Sequence, residues 1–174
     1  KSLWNYKINH NIKKWYEDLN IFLKRIEKIY NLKVVIIPHP KVKEVNNPMY
    51  DKRFKVVKNL NGAAQTIPNS QFVMSIGGST SVSFGVANLK PIILLYNNQI
   101  LKNDETTYLH LKNMSRELDA ALINVNENLV KKKNINKINK KKYNQYKYNY
   151  LTTKKISKLM NYEIINKILL RNIF

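Results

Sequence analysis

Gln71–Tyr96, QFVMSIGGSTSVSFGVANLKPIILLY, decides how the rest of the chain is read. An apolar run, Phe72 to Ile76, ends in Gly77-Gly78-Ser79-Thr80-Ser81, and a second apolar run, Pro91 to Tyr96, follows. The pattern predicts a strand, a glycine-hydroxyl turn, a short helix and another strand. Such a turn joins the carboxyl end of a strand to the amino end of a helix. Backbone N–H groups there lack intrahelical partners, and the helix dipole favours an anion. Gly77 and Gly78 are expected to supply positive φ or a close backbone approach. Ser79, Thr80 and Ser81 offer more hydroxyls than one helix cap requires. The turn therefore reads as an anion seat. It is not the P-loop, which needs Gly-Lys-Ser/Thr, nor the dinucleotide GxGxxG.

Working outward, Asn11 to Tyr30 carries apolar residues at three- and four-residue steps and predicts an amphipathic helix, with Asn31 as its stop. Lys33 to Ile37 is β-branched and predicts a buried strand, closed by Pro38-His39-Pro40. Val42 to Lys52 reads as loop, Phe54 to Val57 as a short strand, and Ala63 to Ile67 as a short helix broken at Pro68-Asn69. Thr106 to Ala120 predicts another helix, Ala121 to Val125 a strand, and Asn126 to Leu129 a turn or helix start. Ile156 to Phe174 predicts a terminal helix. Alternation of strands and helices implies an α/β, Rossmann-like domain with a mostly parallel sheet flanked by helices. Ligands of such sheets sit outside the carboxyl ends of the strands. His39 and the Gly77–Ser81 turn both fall at that edge.

The 174 residues suffice for about one domain with a real core, and 44% of them are hydrophobic. With no cysteine, disulfides and thiolate metal sites are excluded. No apolar run reaches the roughly 20 residues of a membrane span. His10, His39 and His110 show no metal-ligand spacing. The net charge is +20, from 31 basic and 11 acidic residues. Thirteen of the basic residues and a single acid, Glu163, lie from Lys131 to Phe174, which gives that segment +12. A surface of this sign favours polyanions: nucleic acid, anionic lipid or phosphorylated substrates. Two regions are expected: residues 1–130 as the Rossmann-like unit, and residues 131–174 as a basic Lys/Asn/Tyr-rich segment and terminal helix that packs on it or on a missing partner half. Lys131 to Tyr150 reads first as a solvated helix or linker, and second as a basic aromatic surface.

His39 follows a strand and is held between prolines. It can donate one hydrogen bond when neutral and two, with a charge, when protonated. Its plainer role is to cap the strand end. Lys41 adds a cation two residues on; Arg53 and Lys55 are further cations able to reach the same crevice. No carboxylate pair forms an acid/base motif, and Ser79 and Ser81 lack the surroundings of a nucleophile.

Taken together, IIPHPK and, 35 to 40 residues later, SIGGSTSVSFGVANLKPIILL resemble the donor-binding half of GT-B glycosyltransferases. The likeness is greatest to bacterial capsule and surface-polysaccharide enzymes with HP and S/T-S motifs, the sialyl- and polysialyltransferase-like group. The CDP-glycerol transferases of teichoic acid synthesis are similar. The resemblance covers about Trp15 to Val125. It implies one half of a GT-B fold, with His39 touching the phosphate of a nucleotide-activated sugar and helping the nucleotide leave. Pro40, Lys41, Gly77, Gly78, Ser79, Thr80 and Ser81 would form the rest of the donor-phosphate site, where fixed donors stabilise developing charge. It further implies a nucleotide-sugar donor such as a CMP-sialic acid-like compound, a glycan acceptor, metal-independent chemistry without a cofactor, and a cytoplasmic place at the inner face of the bacterial membrane. The general base of the sialyltransferase-like members belongs to the other half, so this chain is expected to be a C-terminal half that binds donor weakly and turns over nothing alone. The basic tail would hold it peripherally on anionic lipid or an anionic glycan.

Two other readings compete. UDP-sugar 2-epimerases share the fold and similar turns but place acidic residues after the glycines, where this chain has Val82, Ser83 and Phe84. A nucleic-acid-binding module would use the charge, with Tyr143, Tyr146, Tyr148 and Tyr150 stacking on bases. No specific nucleic-acid motif accompanies them, and the two strand-end turns would be left without a role.

Overall fold

The computed structural model describes residues 11–38, 49–57, 61–77, 80–127, 135–154, 158–160 and 163. Helix α1 runs Ile12–Tyr30. Asn11 caps it by accepting from the Lys14 N–H at 3.0 Å, and Asn31 ends it in the left-handed conformation at φ 51°. The predicted start and stop thus hold, and asparagine at both ends is the physical reason. Strands β1 (Val35–Ile36) and β2 (Lys55–Val56) are parallel partners. Helix α2, Gly62–Thr66, passes directly into a 3-10 turn, Ile67–Asn69. The α-helix stops before Pro68, as expected, and Pro68 falls in the 3-10 turn that follows. It sits in the first turn of that piece, where a missing N–H costs nothing.

Strand β3 (Val73–Ser75), helix α3 (Thr80–Ala87) and strand β4 (Ile92–Tyr96) follow in the predicted order. Helix α4, Asn98–Asn103, is an element the periodicity does not announce. It is too short to show an amphipathic repeat. Helix α5 (Glu105–Leu118) and strand β5 (Ala121–Asn124) complete a parallel sheet ordered β3-β4-β5. The architecture is mixed α/β with parallel strands flanked by helices. The strands hydrogen-bond as two sheets, β1-β2 and β3-β4-β5, rather than as the one sheet expected.

Strand β4 is buried on both faces, which is why PIILLY reads as a continuous apolar run. Ile93 and Leu95 join Leu19, Phe22, Leu23 and Ile26 of α1, together with Val34, Ile36 and Phe54 from the β1-β2 side. Ile92 and Leu94 join Val82 and Val86 of α3 and Leu111, Met114 and Leu118 of α5 on the opposite face. One helix therefore spans both sheets, and the α3-α5 layer closes the back of the larger one.

The basic stretch is not wholly solvated. Helix α6, Lys140–Tyr146, continues into a π-helical turn, Lys147–Leu151. Tyr143 is 2% exposed within the α3-α5 cluster, and its hydroxyl donates to the Lys90 carbonyl at 2.9 Å. Ile135 is buried in the α1 cluster. A tyrosine buried this deeply makes this part of the stretch a packed element rather than a linker. Most of the expected terminal helix, 156–174, lies outside the described residues. Among the described residues, no helix is long and apolar enough to cross a membrane.

Candidate functional site

A cavity of about 670 Å³ separates β1 from β3. Residues 32–37 line one side and residues 71–77 the other; Leu19, Leu23 and Ile26 of α1 contribute as well. Gly77 and Ser81, from the turn between β3 and α3, both line it. So does Ile37, two residues before His39. The volume lies within the usual range of small-molecule sites, about 300–1,000 Å³. Its walls are mainly apolar, with Phe72, Met74 and Ile76 from the β3 segment. Lys33 is the single charged residue among the described residues that line it.

The turn is built from the strand outward. Ser75, 5% exposed, donates its hydroxyl to the Gly77 carbonyl at 2.7 Å, which bends the chain as β3 ends. Thr80 and Ser81 open α3, whose eight residues are mostly small or apolar. One reason expected for Gly77 is corrected: its φ is not positive. Among the described residues, a Cβ there would meet nothing within 4 Å.

The glycine that packing requires is Gly85. A Cβ at this position would lie 3.2 Å from Ile92 Cγ1 and 3.4 Å from both Ile92 Cδ1 and Val73 Cγ2. The missing side chain lets α3 lie close against β3 and β4. A lone glycine inside a predicted helix was the available signal.

His39, Pro40, Lys41, Gly78 and Ser79 lie outside the described residues. Of the expected site, Gly77 and Ser81 both line the cavity, while Thr80 is exposed at the start of α3. It does not bring Arg53 or Lys55 there. Arg53 Nη2 donates to Glu27 Oε2 at 3.0 Å, while Glu27 Oε1 accepts from the Val34 N–H at 2.8 Å. Arg53 thus ties the β2 side to α1, and Lys55 is exposed. Neighbouring residues repeat this tie. Asn20 accepts from the Asp51 N–H at 3.1 Å and donates to the Met49 carbonyl at 2.7 Å. Lys24 pairs with Asp51, whose carboxyl is held below the ordinary range chiefly by that lysine. Tyr50, in this latch, lines the cavity; burial pushes its phenol pKa upward.

Sequence reasoning missed an amide cluster at the carboxyl ends of β4 and β5. Asn97, 0% exposed, caps α4 by accepting from the Ile100 N–H at 2.9 Å. Asn124 Nδ2 donates to Asn98 Oδ1 at 2.7 Å, and Asn126 Oδ1 accepts from the Asn98 N–H at 2.9 Å. Gln99 Oε1 accepts from the Asn11 N–H at 2.8 Å. Asparagine directly after two apolar runs, LLYNN and INVN, was the signal, since asparagine caps helices and closes turns. The cluster holds the strand ends in place beside the turn after β3.

Among the described residues no aspartate, glutamate or histidine lines the cavity, and no group of three or more acids and histidines is arranged to hold a metal ion. The described lining is mainly apolar, which suits a largely apolar or planar group. Comparison with family models, curated proteins and solved structures finds no match to this chain.

Proposed function

We propose that this chain is the donor-binding half of a GT-B-type glycosyltransferase, which moves a sugar from a nucleotide-activated donor to a surface glycan. One observation carries the reading: the glycine-hydroxyl turn after β3 opens, through Gly77 and Ser81, onto a nucleotide-sized cavity between β1 and β3. The helix start supplies N–H donors, Thr80 and Ser81 supply hydroxyls, and the space beside Gly77 admits a phosphate. The cavity's apolar walls suit the base and ribose. The likeness of IIPHPK and SIGGSTS to the HP and S/T-S motifs adds His39 as the donor to the departing phosphate. In the transfer the sugar–phosphate C–O bond breaks and its electron pair stays on the phosphate. The acceptor oxygen bonds to the sugar carbon and yields its proton to a base on the other half of the enzyme.

The test is a thermal-shift screen of the chain with CMP, CDP, UDP and GDP. One nucleotide should raise Tm clearly above the others, because saturation at about 100 times Kd adds roughly 2.7 kcal/mol. His39→Ala and Ser81→Ala should each weaken that binding. No shift with any nucleotide, or unchanged affinity in both variants, would refute the site. A CMP preference would point to sialyl-type donors, a CDP preference to glycerol transfer.

A further inference from the structure

The first turn of α6 holds Lys140, Lys141 and Lys142 and contains no acid. Cations at a helix amino end oppose its dipole. Lys142 has an internal role, donating from Nζ to the Arg116 carbonyl near the end of α5. Lys140 and Lys141 are exposed and have no such role. Tyr143 and Tyr146, three residues apart, pack on the α3-α5 cluster, while Lys140, Lys141, Asn144 and Gln145 of the same helix are exposed.

Exposed apolar groups accompany these cations. Lys147 Nζ lies 5.5 Å and Lys154 Nζ 5.9 Å from the centroid of the Tyr148 ring. Tyr150 is 60% exposed, Leu151 37% and, further along, Met160 64%. Three neighbouring acids hydrogen-bond to neutral groups and keep their charges. Glu117 accepts from the Tyr150 hydroxyl at 3.1 Å, Asp119 from Asn139 Nδ2 at 3.1 Å, and Glu163 from the Met160 N–H at 2.6 Å. Eight lysines from Lys137 to Lys158 outweigh them.

We propose that α6, its π-helical turn and Lys154 form a docking face for an anionic lipid bilayer. Lysines meet headgroup phosphates, while tyrosine and leucine enter the boundary between headgroups and acyl chains. Nucleic acid would use the lysines and stack on the tyrosines, but it has no use for an exposed Leu151. The inference stands independently of the donor site.

The experiment is co-sedimentation of the full chain with phosphatidylcholine vesicles, with or without about one-third phosphatidylserine, in about 0.1 M salt. Binding should require phosphatidylserine. Each lysine near the surface contributes about fivefold, so K140Q/K141Q/K147Q should lower partitioning on the order of a hundredfold. Leu151→Asn should lower it severalfold with all charges kept. K140Q/K154Q provides a second charge variant, and circular dichroism checks that each protein is folded. Equal binding to pure phosphatidylcholine, unchanged binding in the charge variants, or an L151N protein that binds vesicles as before would overturn the proposal. So would tighter binding to a single-stranded oligonucleotide that survives about 0.2 M salt.

Discussion

Replacing Gly85 by valine tests whether close approach of α3 to the sheet holds the helix in place. A Cβ here already comes within 3.2 Å of Ile92 Cγ1 and 3.4 Å of Val73 Cγ2. Ile92 is 2% exposed and Val73 7%, and both are fixed on hydrogen-bonded strands, so neither can withdraw freely. Overpacking of this kind costs about 1–3 kcal/mol. Removing a helix glycine returns only a few tenths when valine replaces it. The net loss of about 1–3 kcal/mol should lower Tm by roughly 2–12 °C in a chain of this size. Gly85→Ala should fall between wild type and valine, because a gain of about 1 kcal/mol in helix propensity offsets part of the clash. The control is Gly77→Ala, with nothing among the described residues within 4 Å of its new methyl. It should leave Tm unchanged or raise it slightly through the unfolded chain, and yet weaken nucleotide binding. Thermal and urea unfolding followed by circular dichroism read all three. A Gly85→Val protein as stable as wild type, or a Gly77→Ala protein destabilised to the same degree, would refute the assignment of packing to one glycine and open space to the other.

Three further outcomes follow from single contacts. Burial pushes the Tyr143 phenol pKa up to about 12, so folding favours its protonated form; stability is complete below about pH 10 and falls as pH rises from about 10 to 12. Tyr143→Phe should flatten that fall, at a cost of about 1 kcal/mol at neutral pH for the lost hydrogen bond to Lys90; an unchanged alkaline unfolding curve would count against it. Glu27→Gln weakens both the Val34 N–H and the Arg53 contacts and should cost about 1–2 kcal/mol in urea denaturation, whereas Arg53→Ala, which leaves the Val34 bond intact, should cost less. Leu89 holds φ 51° with its side chain 47% exposed, so Leu89→Gly should raise stability by up to about 1 kcal/mol, measured as an increase in Tm.

The sequence by itself settled the larger elements and their order. Nineteen residues of amphipathic repeat between two asparagines specify α1. The doubly buried run PIILLY specifies a central parallel strand. The glycine-hydroxyl turn was legible because its residue types suit a strand-to-helix connection and little else. Local signals of this kind survive because propensity, capping and burial period all act within a few residues. Tertiary structure decided what those signals could not carry. The sequence points to Gly77 in the turn and gives no role to Gly85, and only the helix-to-sheet distance shows that Gly85 sits tightly against Ile92 and Val73. Arg53 read as a cation free for the crevice, and only folding brings it to Glu27, 26 positions away. The lysine-rich stretch read as solvated because charge dominates its composition. Its tyrosine reaches a carbonyl 53 residues distant, which no local pattern records. The cavity between β1 and β3 is likewise a property of two strands that do not pair with each other. Each of these depends on contacts between residues far apart in the chain, and such contacts are set by how the layers pack rather than by any stretch of sequence alone.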